Sequence, residues 1–92
     1  MPKHRILYFY SDSCFHCKHI SSDIDYLEKK LPTARIKNGE HKDLHDHYHV
    51  ENYPTMFLID EEDKVITGWV GAKKIKSSIE KLKEIIKKSD NE

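Results

Sequence analysis

A chain of 92 residues with 37% hydrophobic residues can bury one thin core, which excludes a second catalytic domain and points to a single domain over residues 1–92. Its 16 basic and 16 acidic residues cancel, so no net field draws nucleic acid or an anionic membrane to it. Three Gly, three Pro and this apolar content also exclude a low-complexity or disordered segment.

In chain order, Ile6–Tyr10 is a continuous β-branched and aromatic run, the pattern of a strand buried on both faces. Ser11–Ser13 are turn formers able to cap a helix. Cys17, Ile20, Ile24, Leu27 and Leu31 then recur at intervals of 3, 4, 3 and 4, the stripe of one amphipathic helix, which Pro32 stops. Ala34–Lys37 is a short strand ending at the Asn38-Gly39 turn signal, and Lys42–Tyr48 reads as a weak helix. Thr55–Ile59 and Val65–Val70 form a hairpin around Asp60–Asp63. From Ala72 onward, Ile75, Ile79, Leu82 and Ile86 mark a last helix.

The order β-α-β-α-β-β-α makes the first two strands parallel through a right-handed crossover and the last two antiparallel. The expected fold is therefore α/β, a four-stranded mixed sheet with helices on both faces. Ile6–Tyr10 and Met56–Ile59, the longest apolar runs, are far short of the roughly 20 residues of a membrane span. The apolar run after Met1–Arg5 is also too short for a signal-peptide core. The expected location is the cytoplasm, where two cysteines serve catalysis or metal binding rather than a structural staple.

Cys14-Phe15-His16-Cys17 falls where the first strand gives way to the first helix. Unpaired N–H groups and partial positive charge at a helix start stabilise a thiolate, the form that attacks disulfides. Cys14 lies at the loop mouth as nucleophile, and Cys17 lies on the apolar stripe as the sheltered thiol that resolves a mixed disulfide. The competing reading is a soft-metal-binding or metal-transfer module built from Cys14, Cys17 and histidines. A closed zinc site needs four ligands, and no second Cys-x-x-Cys supplies them. His41, His45 and His49, four apart, would share a helix face able to chelate a metal, although a solvated face explains them as well.

Ser13-Cys14-Phe15-His16-Cys17-Lys18 at a strand-helix junction, Tyr53-Pro54-Thr55 opening a later strand and Val70-Gly71-Ala72 before the last helix together resemble the thioredoxin superfamily, over Arg5–Lys88. The resemblance implies a thiol-disulfide oxidoreductase, similar to small thioredoxins and glutaredoxins, whose redox group is the Cys14–Cys17 disulfide, with no other cofactor and no metal. It implies a cis Tyr53–Pro54 bond against that disulfide, a Tyr53 backbone that pairs with substrate, and a Gly71 that leaves room for a docked partner. Phe15, Tyr53, Pro54 and Gly71 are thus the expected substrate contacts. The implied partners are disulfide-containing client proteins and an electron donor, either a flavoprotein of the thioredoxin-reductase kind or glutathione, with the protein acting as a monomer.

Three positions differ from the family pattern. Ser13 stands where thioredoxins have Trp, which reduces the hydrophobic lip. Tyr8 stands six residues before the nucleophile, where they have a buried carboxylate, so the usual proton acceptor for the resolving thiol is absent. The intervening pair is Phe15-His16, and its histidine is similar to that of protein disulfide isomerase. His16 is expected to tune the pKa of Cys14 and through it the reduction potential.

Overall fold

The computed structural model describes residues 4–90. Strand β1 (His4–Tyr10) leads into helices α1 (Phe15–His19) and α2 (Ser21–Lys30), then strand β2 (Thr33–Lys37) and helix α3 (Lys42–His47). Strands β3 (Thr55–Asp60) and β4 (Val65–Val70) and helix α4 (Ala72–Asp90) complete the order.

The sequence pattern predicts a single helix where the structure has α1 and α2, divided at Ile20. The Ile20 N–H bonds to the Cys17 carbonyl, three residues back, at 3.4 Å, and the Ser21 hydroxyl donates to the Lys18 carbonyl at 3.1 Å. Such tightening and side-chain back-bonding bend a helix. The apolar stripe survives the break, since Cys17, Ile20, Ile24, Leu27 and Leu31 are all buried.

The sheet order is β2-β1-β3-β4, with β1 parallel to β2 and the other pairs antiparallel. The β1–β2 crossover passes through helices, whereas β3 and β4 are joined by a tight turn. There the Asp60 carboxylate accepts the N–H groups of Glu62 at 2.8 Å and Lys64 at 3.0 Å.

Alternation along the central strands divides the residues between two unequal faces. Ile6, Tyr8, Met56 and Leu58 point into the main core, where they meet Ile24 and Leu27 of α2 and Ile75, Ile79, Leu82 and Ile86 of α4. Trp69 packs partly buried against this core. On the opposite face lie Leu7, Phe9 and Phe57. Tyr48, just after α3, covers that face only locally, with ring centroids 6.1 Å from Phe9 and 5.3 Å from Phe57. Helices thus lie on both faces as expected, but a six-residue helix on one side cannot match α2 and α4 on the other. Gly68 of β4 lies under the Phe57 ring, where a Cβ would stand 2.7 Å from Cδ1. Among the described residues, no helix is long and apolar enough to cross a membrane.

Candidate active site

Strand pairing gathers the site at one end of the sheet. Phe9 pairs with Thr55, and Thr55 with Val70, so β1 ends beside the start of β3 and the end of β4. The loop carrying Cys14, the Tyr53-Pro54 segment and Gly71 all emerge there. Gly71 and Pro54 are tied directly, the Gly71 N–H donating to the Pro54 carbonyl at 2.8 Å.

Cys14 is the N-cap of α1, and its sulfur accepts the Cys17 backbone N–H at 3.1 Å. The helix behind it has only five residues before the break at Ile20, so local N–H donation, rather than the dipole of a long helix, acts on this sulfur. Cys14 is partly exposed, whereas Cys17 is 6% exposed and lies against the core. Burial pushes the Cys17 thiol up to about 11 from its ordinary value of 9.0, and a hydrogen bond with Cys14 adds to the rise, while a backbone hydrogen bond at Ser11 opposes it. Cys17 is therefore a neutral thiol at neutral pH.

This shift has a stability consequence of definite sign. A thiol whose pKa is higher in the folded state holds its proton longer than in the unfolded chain, so its contribution is complete below about pH 9 and is lost as pH rises through about 11. Urea midpoints of the reduced protein are expected to decline across that window, and by less in Cys17→Ala. An equal decline in both would assign the alkaline loss to other groups.

Phe15 and His16 both face solvent, Phe15 at 68% exposure. The Phe15 ring lies edge-on to His16 at 6.1 Å and to His19 at 4.7 Å, a contiguous aromatic surface next to Cys14. The Tyr53–Pro54 peptide is cis, and Pro54 is buried. Gly71 has φ +96, and a Cβ built there meets nothing within 4 Å. The left-handed backbone, rather than crowding inside the protein, thus favours glycine here, and the space above it is open.

Two contacts of Tyr53 are not apparent from the sequence pattern. Its hydroxyl donates to Asn38 Oδ1 at 3.0 Å, and its ring meets His45 edge-on at 5.8 Å. Asn38 reads in the sequence as a turn former, and only the parallel β1–β2 pairing brings it to this end of the sheet. The shared face expected for His41, His45 and His49 does not exist. His41 and His49 flank the short α3 with φ values of 51 and 55, outside the helix, and His45 turns inward onto Phe9 at 5.1 Å. Among the described residues, no three His, Cys, Asp or Glu side chains are grouped to hold a metal ion, an arrangement the metal-transfer reading needs.

A mixed four-stranded sheet with a dithiol at the first strand-helix junction, and proline and glycine at the adjoining strand ends, defines the class of thioredoxin-fold redox domains. The chain belongs to the Thioredoxin family, whose pattern it matches over residues 2–88. It is 26% identical to a thioredoxin of Nicotiana alata, with TM-score 0.75 over 90% of this chain and 74% of that one. The fold is likewise that of Trypanosoma brucei brucei thioredoxin, at TM-score 0.76 and 21% identity over 94% of this chain and 77% of that one. By sequence it is 27% identical over 85 residues to rice (Oryza sativa subsp. japonica) protein disulfide isomerase-like 5-3, a match covering 85% of this chain and 20% of the relative. Rice protein disulfide isomerase-like 2-2 is 26% identical over 83% of this chain and 22% of that protein. The chain thus spans about a fifth of the curated relatives it matches.

Proposed function

We propose that the protein exchanges its Cys14/Cys17 dithiol with disulfides of client proteins or small molecules. The supporting observation is the asymmetry of the two thiols. The partly exposed Cys14 sulfur accepts an N–H, while Cys17 is buried and protonated directly behind it. An accessible nucleophile with a sheltered partner suits attack followed by resolution. Phe15, the Tyr53 backbone, Pro54 and Gly71 form the client-binding rim. The Tyr53 N–H, which makes no hydrogen bond among the described residues, is the group offered to an extended substrate strand. We place the protein in the cytoplasm as a monomer, recharged by a thioredoxin-reductase-like flavoprotein or by glutathione, with no cofactor beyond the dithiol.

Equilibration in glutathione buffers tests the reading. One intramolecular disulfide is expected to form reversibly, and the reduced protein is expected to accelerate insulin reduction by dithiothreitol. A dithiol that takes up glutathione without closing a ring, and that leaves insulin untouched, would refute it. Pairing each donor with its own reductase and NADPH decides between flavoprotein and glutathione. The same titration reads His16. His16 lies two residues from Cys14 in the first turn of α1, and a group there that stabilises the reduced form makes the couple more oxidising. Proline is tolerated in the first turn of a helix, so His16→Pro is expected to make the couple more reducing by about 30 mV, roughly tenfold in the glutathione equilibrium. An unchanged potential would leave His16 as a spacer.

A further inference from the structure

Tyr8 of β1 is 4% exposed and belongs to the core side of the sheet, where it also borders a cleft. Its side chain and that of Cys17 line one cleft of about 220 Å³ that opens toward solvent, and each group shifts the other's pKa, the phenol up and the thiol down. The ring is held in place by stacking on Tyr10, with centroids 5.7 Å apart and planes 7° from parallel. The charged groups around this pair are few. Lys18 of α1 and Asp12 of the preceding loop line the cleft, and Asp12 is ion-paired to Lys37. Arg35 of β2 also lines it, with its guanidinium bonded to Asp25 and Glu28 of α2 at 2.6 Å each. Cys14 is the remaining titratable neighbour. Each carboxylate is thus already held by a cation, and none is hydrogen-bonded to Cys17.

We infer that Tyr8 is the positioning residue of the resolving step, its hydroxyl donating a hydrogen bond to the Cys17 sulfur as that thiol becomes a thiolate. This inference rests on the dithiol-exchange reading and goes further by assigning what supports the buried thiol. A phenol is a poor base at neutral pH, and burial beside the Cys17 sulfur pushes Tyr8 still higher. It therefore acts as a donor, and water in the cleft takes the proton. In the mixed disulfide between Cys14 and a client, the Cys17 S–H gives its proton to that water. The Cys17 thiolate forms a bond to the Cys14 sulfur, the Cys14–client S–S bond breaks, and the client sulfur leaves with the electron pair and picks up a proton from solvent. Cys14 and Cys17 end oxidised to a disulfide, and the client disulfide ends reduced to two thiols.

Tyr8→Phe keeps the ring and removes the donor. In a Cys14→Ser background, NMR titration of isotope-labelled cysteine Cβ reports Cys17 alone and requires no exchange activity. Its midpoint is expected to rise by about one pH unit on adding Tyr8→Phe, because a hydrogen bond to the ionised form holds a pKa down. With Cys14 present, release of a preformed mixed disulfide is expected to slow about threefold at neutral pH, because a roughly tenfold loss of thiolate is partly offset by the greater nucleophilicity of the more basic sulfur. Its pH profile moves upward by the same unit, while adduct formation by Cys17→Ser stays equally fast with or without Tyr8→Phe. Identical Cys17 midpoints with and without the hydroxyl would overturn the inference, even in a protein that exchanges disulfides. Absence of exchange in the parent would remove the dithiol reading and leave the Cys17 titration still decisive for the hydrogen bond. Should Tyr8→Phe fail to fold, the labelled Tyr8 Cζ resonance of the Cys14→Ser protein must shift with the Cys17 midpoint. A resonance indifferent to it overturns the inference.

Discussion

Cys17→Ser is expected to turn the protein from a catalyst into a trap. Cys14 can still attack a client disulfide and lose the first client thiol, but no second sulfur is in place to displace the remaining bond. Mixed disulfides should accumulate on Cys14 at close to one per molecule, and turnover should fall to background. Cys14→Ser should also abolish turnover, for the opposite reason. The remaining thiol is 6% exposed and held protonated by burial, so it neither meets nor attacks a client. Mass spectrometry after exposure to a disulfide-bearing peptide separates the two cases. An adduct on Cys17 in Cys14→Ser, together with an unmodified Cys14 in Cys17→Ser, would reverse the roles. Equal adducts in both would show that burial does not distinguish the thiols.

Much of this site is legible in the sequence because the relevant signals are local. The dithiol follows a strand and opens a helix, and Cys17 continues the same apolar stripe as Ile20 and Ile24, which together place one sulfur outside and one inside. The parts that are not legible depend on contacts between elements distant in sequence. The break at Ile20 arises from backbone and hydroxyl hydrogen bonds that leave the apolar spacing intact, so periodicity cannot register it. The inward turn of His45 depends on α3 ending at His47, where His41 and His49 already lie in left-handed backbone. Spacing by fours implies one face only if the helix is long enough to include all three residues. Tyr8 is the instructive case. Its position reads in the sequence as a lost carboxylate, and only packing shows that this phenol lines the same cleft as Cys17.

The inequality of the two sheet faces predicts a large difference between two chemically identical substitutions. Leu58→Ala empties a site that is 0% exposed on β3, where α2 and α4 pack against the sheet. A cavity sealed between helices and sheet collapses poorly, and the expected cost is about 3 kcal/mol, within the range for buried leucines. For a domain of this length, with a total stability of roughly 5–14 kcal/mol, that is a large share. Leu7→Ala removes the same atoms from β1, one strand away, but Leu7 is only partly buried and borders a cleft of about 240 Å³ next to Ala34 and Ile59. The lost methyl groups there enlarge a space already open to water, so only the transfer of their partly covered surface is lost, on the order of 1 kcal/mol. Urea midpoints at unchanged slope measure both. Losses of equal size would mean that the face carrying Leu7 is sealed in solution as firmly as the one carrying Leu58, and that α3 and Tyr48 cover more of it than their positions imply. Neither leucine lines the dithiol, so exchange measured well below either midpoint should match the parent, which separates a loss of core from a loss of chemistry.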